Sequence, residues 1–183
     1  ETADPIETNV FGHSNAALNE DEVREIMERV NSAERVALIF GSEIDAYGAM
    51  EDARNFAHSL NAPVYVEPWA QASSYYKDDL YVQDLPPAFS AMNRILEPYD
   101  LILFIGSDVF VYPYTGEDPQ FMDRSIFIST QSGHYVGETY FSDPSSFLRA
   151  AVKYARKKEW IKPNRFPEKL VYEDIIAKVH RHL

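Results

Sequence analysis

Short apolar segments that end at a glycine constrain the fold of this chain more than any other feature of its sequence. Residues 100–105 read Asp-Leu-Ile-Leu-Phe-Ile before Gly106, and residues 35–40 read Arg-Val-Ala-Leu-Ile-Phe before Gly41. Such runs are too short for a buried helix, and they are typical of strands buried on both faces of a parallel sheet. The same argument predicts strands at 63–66 and 125–129, and a weaker fifth strand near 138–141.

Segments with helical spacing alternate with these strands. Asn19 and Glu22 are typical of a capped helix start, and the apolar residues that follow predict a helix over 20–32. Asp45 is expected to cap a second helix that extends to Leu60. This alternation predicts a three-layer, doubly wound α/β fold (Rossmann-like) with a mostly parallel sheet of five to six strands. Further predictions are a long aromatic and polar connection over 67–84, a third helix with Pro86 in its first turn, and a helix from Pro144 to about Lys157.

The ends of the chain predict its domain organisation. Residues 1–18 are polar with little periodicity and are interpreted as a linker, whereas 19–158 form a single α/β domain. Residues 159–169 contain two prolines and are interpreted as a second linker. A short helix is predicted over 172–183, and we expect residues 170–183 to be the start of a following domain that is truncated by the end of the chain.

The composition excludes several classes of function. The chain has 183 residues with 29 acidic and 17 basic side chains, whereas proteins that bind nucleic acids expose clustered lysine and arginine. No apolar run approaches the roughly 18 residues of a transmembrane helix, so no membrane partner is expected. There are no cysteines, which excludes disulfides and thiol catalysis and favours a cytoplasmic location.

The loops after the strands are the expected place for chemistry, because ligands of doubly wound sheets bind beyond the carboxyl ends of the strands. In the loop after the 100–105 strand, Phe110, Tyr112 and Tyr114 are candidates to line a substrate pocket or to contact another domain. Local packing of these rings is the alternative, and the sequence leaves both open. The four loops in question are 41–48, 67–76, 106–116 and 130–135.

No catalytic, cofactor-binding or metal-ligating residue is predicted. The turn at 41–48 lacks the three closely spaced glycines of a dinucleotide site, and its acids Glu43 and Asp45 would repel a phosphate. None of the five histidines has the spacing of a helical metal motif, and His180 and His182 face different sides of a helix. The loops therefore offer hydroxyls, acids and rings, but no assembled catalytic set.

Three segments in a fixed order give the chain a resemblance to a known family. Residues 41–46, 60–68 and 96–110 are similar to the central domain of thiamine-diphosphate-dependent 2-oxo acid decarboxylases of the benzoylformate decarboxylase kind. The resemblance implies a structural and interface role between the pyrimidine- and diphosphate-binding domains of one enzyme. It also implies a homo-oligomeric full enzyme that uses thiamine diphosphate and Mg²⁺. Related central domains bind FAD or ADP, so a nucleotide-binding module is the alternative function.

Departures from the family pattern limit what the resemblance implies. Pro113 stands where relatives often carry a histidine that reaches the active site, so that acid–base role is not carried over. Asp78, Asp79 and Gln83 stand where relatives tend to have His-Pro and a later glycine, which leaves the substrate class open. The chain also lacks the Gly-Asp-Gly motif with which the family holds the diphosphate and Mg²⁺. We therefore expect this segment to bind no cofactor and to be inactive by itself.

Overall fold

A parallel sheet forms the centre of the domain. The computed structural model describes residues 17–68, 77–107, 117–131 and 138–157. Within them, six strands lie in the order β3-β2-β1-β4-β5-β6, and every neighbouring pair is parallel. The predicted α/β class and the count of five to six strands are confirmed. The strands are β1 (Val36–Phe40), β2 (Val64–Val66), β3 (Tyr81–Asp84), β4 (Leu101–Ile105), β5 (Ser125–Ser129) and β6 (Glu138–Phe141).

Helices cover both faces of the sheet. On one face α1, α3 and α5 pack over alternate strand residues such as Leu38 and Leu103, and on the other face α4 packs over Ile39 and Phe104. Both sets are almost fully buried, which explains why the central strands are continuous apolar runs. The helices are α1 (Glu20–Ser32), α2 (Glu43–Ala46), α3 (Met50–Leu60), α4 (Phe89–Leu96) and α5 (Pro144–Lys157), and a short 3₁₀ helix covers Met122–Arg124.

The predicted start of α1 is confirmed in atomic detail. The Asn19 side chain accepts hydrogen bonds from the main-chain N–H of Asp21 at 3.0 Å and of Glu22 at 2.9 Å. The Glu22 carboxylate in turn accepts from the Asn19 N–H at 2.8 Å. This reciprocal capping gives acceptors to main-chain N–H groups at the start of α1, which have no hydrogen-bond partner within the helix itself.

Two predicted helix starts are wrong. Asp45 does not cap a helix to Leu60, because a separate turn of helix, α2, ends at Ala46 and the chain then turns through Gly48 at a φ of +62°. The next helix, α3, starts at Met50 without a side-chain cap. Pro86 lies outside α4, which starts only at Phe89.

The connection predicted over 67–84 contains a strand that the sequence pattern did not predict. β3 pairs with β2 at the edge of the sheet, where the Val64 N–H donates to the Leu80 carbonyl and the Leu85 N–H donates to the Val66 carbonyl, both at 2.8 Å. The predicted linkers at 1–18 and 159–169 and the predicted helix in 170–183 lie almost wholly outside the described residues. No helix of the described ranges is long and apolar enough to cross a bilayer.

Candidate functional site

The strand order places the candidate site between β1 and β4. The order reverses there, and ligands of doubly wound sheets bind in the crevice outside the carboxyl ends of the strands at such a switch point. In this chain the two turns that leave β1 and β4 touch each other across the crevice. The Gly41 N–H donates to the Ile105 carbonyl at 3.1 Å, and the Glu43 N–H donates to the Gly106 carbonyl at 3.0 Å.

Two glycines make this contact possible. A Cβ atom at Gly41 would lie 2.1 Å from the carbonyl oxygen of Gly106 and 2.4 Å from the Cα of Ser107. Gly106 has a φ of +63°, and a Cβ there would lie 2.9 Å from the Cβ of Glu43. Main chain therefore occupies the part of the crevice where the two turns meet, and each glycine is required for this close approach.

Glu67 joins the ends of three strands. It follows β2 directly and is 6% exposed. Its carboxylate accepts from the N–H of Ser42 at 2.6 Å and from the Oγ of Ser42 at 2.5 Å, after β1. It also accepts from the Oγ of Ser107 at 2.8 Å, after β4. Hydrogen bonds to a charged acceptor are stronger than neutral ones, so this carboxylate fixes three turns relative to one another.

Glu43 extends the same polar layer to β5. It is the first residue of α2 and is 9% exposed. Its carboxylate accepts from the Oγ of Ser129 at 3.1 Å, and from the N–H at 3.1 Å and the Oγ1 at 2.7 Å of Thr130. Together, Glu43 and Glu67 connect the carboxyl ends of four adjacent strands, β2, β1, β4 and β5, through buried carboxylates. We call these two residues with Ser42, Ser107, Ser129 and Thr130 the carboxylate layer.

The carboxylate layer has electrostatics unsuited to a phosphate group. Two buried carboxylates face the switch point, and partial burial raises the pKa of the nearby Asp45 carboxyl above its usual range. Because like charges repel more strongly away from bulk water, this edge disfavours an anionic ligand. The alternative of a FAD- or ADP-binding module finds no support in this geometry.

The carboxylate layer also does not fit the diphosphate of thiamine diphosphate. A diphosphate site needs clustered main-chain N–H donors or a bound Mg²⁺ with free acceptor groups. Here the Ser42 and Thr130 amides already donate to Glu67 and Glu43. The carboxylate layer is therefore structural, and no catalytic step is assigned to it.

The residues singled out from the sequence divide into two groups. Phe110, Tyr112 and Tyr114, the pocket or interface candidates, lie outside the described residues. Glu43 lies within the described residues, where its carboxylate accepts hydrogen bonds from hydroxyl groups and a main-chain amide. The sequence pattern identifies Glu67 only as the first residue of a loop. An acidic residue directly after a buried strand is the sequence feature that could have indicated its role.

Comparisons with known proteins agree with this architecture. Residues 23–150 match the family described as thiamine pyrophosphate enzyme, central domain. The chain is 30% identical over 89 residues to benzoylformate decarboxylase from Pseudomonas aeruginosa, covering 48% of the chain and 17% of that protein.

Solved structures extend the likeness. With benzoylformate decarboxylase from Polynucleobacter necessarius the TM-score is 0.70 at 25% identity, over 84% of this chain and 30% of the other. With a 4-hydroxybenzoylformate decarboxylase from Rhodococcus jostii RHA1 the TM-score is 0.70 at 27% identity, over 79% and 29%. The chain thus spans less than a third of the length of these relatives. It belongs to the family of thiamine pyrophosphate enzyme central domains.

Proposed function

We propose that this chain is the central domain of a larger thiamine-diphosphate-dependent 2-oxo acid decarboxylase, in which it has a structural and interface role. The family match over residues 23–150 carries this proposal, and the two decarboxylases of similar structure support it. Because the chain covers about 30% of the first of these, pyrimidine- and diphosphate-binding domains would flank it. Residues 1–18 and 159–169 would be the linkers, and 170–183 would open the following domain.

The cofactor and its Mg²⁺, held by the flanking domains, would supply the carbanion chemistry of decarboxylation. The contribution of this chain is mechanical. The carboxylate layer fixes the ends of β2, β1, β4 and β5 relative to one another. A fixed base of this kind suits a domain that must hold two others at a constant spacing, because displacements of about 1 Å are costly to catalysis.

Phe110, Tyr112 and Tyr114 are proposed to edge the substrate pocket or an interface of the full enzyme, which we expect to be a homo-oligomer. Ser107, whose hydroxyl donates to Glu67, anchors the start of this aromatic segment along the chain. Large rings bury much area at low entropic cost, which is why they are favoured in such positions.

The inactivity of the isolated chain can be tested directly. The 183-residue chain is mixed with thiamine diphosphate, Mg²⁺ and benzoylformate, and release of CO₂ and benzaldehyde is measured. We expect no release above that of cofactor alone. Turnover by this chain would contradict the structural role.

A second experiment addresses the aromatic segment in the complete polypeptide. Phe110→Ala and Tyr114→Ala should raise KM for an aromatic 2-oxo acid more than for pyruvate if these rings edge the pocket. Phe141→Ala is the matched control, because Phe141 is an exposed ring (47%) on the edge strand β6. Equal effects of all three substitutions on both substrates would remove the pocket role.

A further inference from the structure

A histidine and two aspartates meet at the end of α3, away from the carboxylate layer. His58 lies in the last turn of α3, and Asp78 and Asp79 lie just before β3. One side-chain ligand atom from each lies within 4.8 Å of the other two. About twenty residues separate His58 from the two aspartates in the chain, which is why no helical metal motif was visible there.

The distances suit ligands of one cation. The Nε2 of His58 lies 3.2 Å from the Oδ2 of Asp78. Two ligands of a tetrahedral Zn²⁺, each about 2.05 Å from the metal, are separated by about 3.3 Å. Asp79 is exposed, so a side-chain rotation can bring its carboxylate to the same centre.

The main chain orients the carboxylate of Asp78 within this cluster. Asp78 is 6% exposed in its side chain, and its Oδ1 accepts from the Leu80 N–H at 3.0 Å, which orients the carboxylate. The Nε of Arg54 lies 3.8 Å from Oδ2, beyond hydrogen-bond distance. The carboxylates of Asp78 and Asp79 outnumber the one guanidinium beside them, that of Arg54, and this excess of negative charge attracts a divalent cation.

We propose that His58, Asp78 and Asp79 form a Zn²⁺ site that fastens the end of α3 to the segment entering β3. Imidazole nitrogen and carboxylate oxygens are ligands that Zn²⁺ accepts, and water completes its coordination on the exposed side. The site joins the β2–β3 edge of the sheet to the helix layer across a chain segment of about twenty residues, so it would stabilise this edge. It is independent of the proposed decarboxylase role.

The test is a competition titration of Zn²⁺ between the 183-residue chain and a fluorescent chelator. We expect one equivalent of Zn²⁺ to be retained by the chain. Losing even an outer partner of a metal ligand weakens binding about 10–100-fold, so His58→Ala and Asp79→Asn should each weaken it about tenfold or more. In ¹⁵N-edited spectra of the histidine rings, the retained Zn²⁺ should shift the Nε2 signal of His58.

A matched control separates this site from other histidines. The double variant His180→Ala/His182→Ala removes two closely spaced histidines elsewhere in the chain and should keep the retained equivalent. Asp79 is exposed, so Asp79→Asn should leave the thermal midpoint of the metal-free chain unchanged while reducing the rise that a given concentration of Zn²⁺ causes in the wild type. Failure to retain Zn²⁺, equal affinity in His58→Ala, or an unmoved His58 signal would overturn the site and leave only the hydrogen bond between His58 and Asp78.

Discussion

The contact between Gly41 and Gly106 predicts a large and specific cost for one added methyl group. In Gly41→Ala the new Cβ would meet the Gly106 carbonyl oxygen at 2.1 Å and the Ser107 Cα at 2.4 Å. Both are main-chain atoms, so no rotamer change can relieve the overlap, and the ends of β1 and β4 must separate. Overpacking typically costs about 1–3 kcal/mol. Each of the two hydrogen bonds across the turns adds a net loss of about 0.5–1.5 kcal/mol.

We therefore expect Gly41→Ala to lower the free energy of unfolding by about 3 kcal/mol or more, measured by urea unfolding of the chain. Gly48→Ala is the matched control. Gly48 has a φ of +62°, but a Cβ added there would have no atom within 4 Å, so only the left-handed backbone costs energy, about 1–2 kcal/mol. Equal losses in the two variants would refute the close contact of the two turns.

Three further perturbations test other buried and exposed contacts. Tyr65→Phe or Tyr99→Phe removes one partner of a buried 2.8 Å hydrogen bond and should lower the free energy of unfolding by about 1–3 kcal/mol. The double variant should lose less than the sum of the two single losses, because both remove the same bond. Additive losses in urea unfolding would contradict the hydrogen bond. Glu67→Ala leaves the Ser42 N–H without its acceptor and should lower the free energy of unfolding by about 1–3 kcal/mol. Glu67→Gln keeps one acceptor oxygen, so it should be less destabilising. Equal thermal midpoints of the two variants would argue against the role of this carboxylate. Partial burial alone would raise the pKa of Glu138, but the hydrogen bond and charge of Arg29 contribute to lowering it below the usual 4.5. The resulting stabilisation is under about 1 kcal/mol; it is fully present above the usual pKa and is lost as the pH falls through the lowered pKa. The free energy of unfolding of the wild type should therefore exceed that of Arg29→Gln by less in acid than at neutral pH. A difference that stays constant with pH would contradict the pairing.

The central strands could be predicted from sequence because burial on both faces leaves a continuous apolar signal. β3 gave no such signal, because its apolar residue Val82 faces solvent and its polar residue Gln83 is buried, the reverse of the usual pattern in a half-buried strand. Val82 is 41% exposed, whereas Gln83 is 8% exposed. Pairing with β2, which only the folded chain provides, holds these residues in a strand.

The candidate sites were less predictable than the fold, because they depend on which strands become neighbours. Glu67 reaches Ser42 and Ser107 only because β2, β1 and β4 lie side by side, although 40 residues separate Glu67 from Ser107 in the chain. His58 and Asp78 are brought together in the same way by the β2–β3 edge. A sequence motif records contacts within one segment, so neither set could be found by spacing alone.

The two carboxylates also determine how the carboxyl ends of the central strands are held together. The Glu67 and Glu43 carboxylates accept hydrogen bonds from residues that follow β1, β4 and β5, so contacts within the domain fix these strand ends. The strand ends are then fixed whether or not a ligand is present. Substitutions at Gly41 and Glu67 therefore test this arrangement from two sides, because the first separates the turns after β1 and β4 and the second removes the acceptor that joins them to the end of β2.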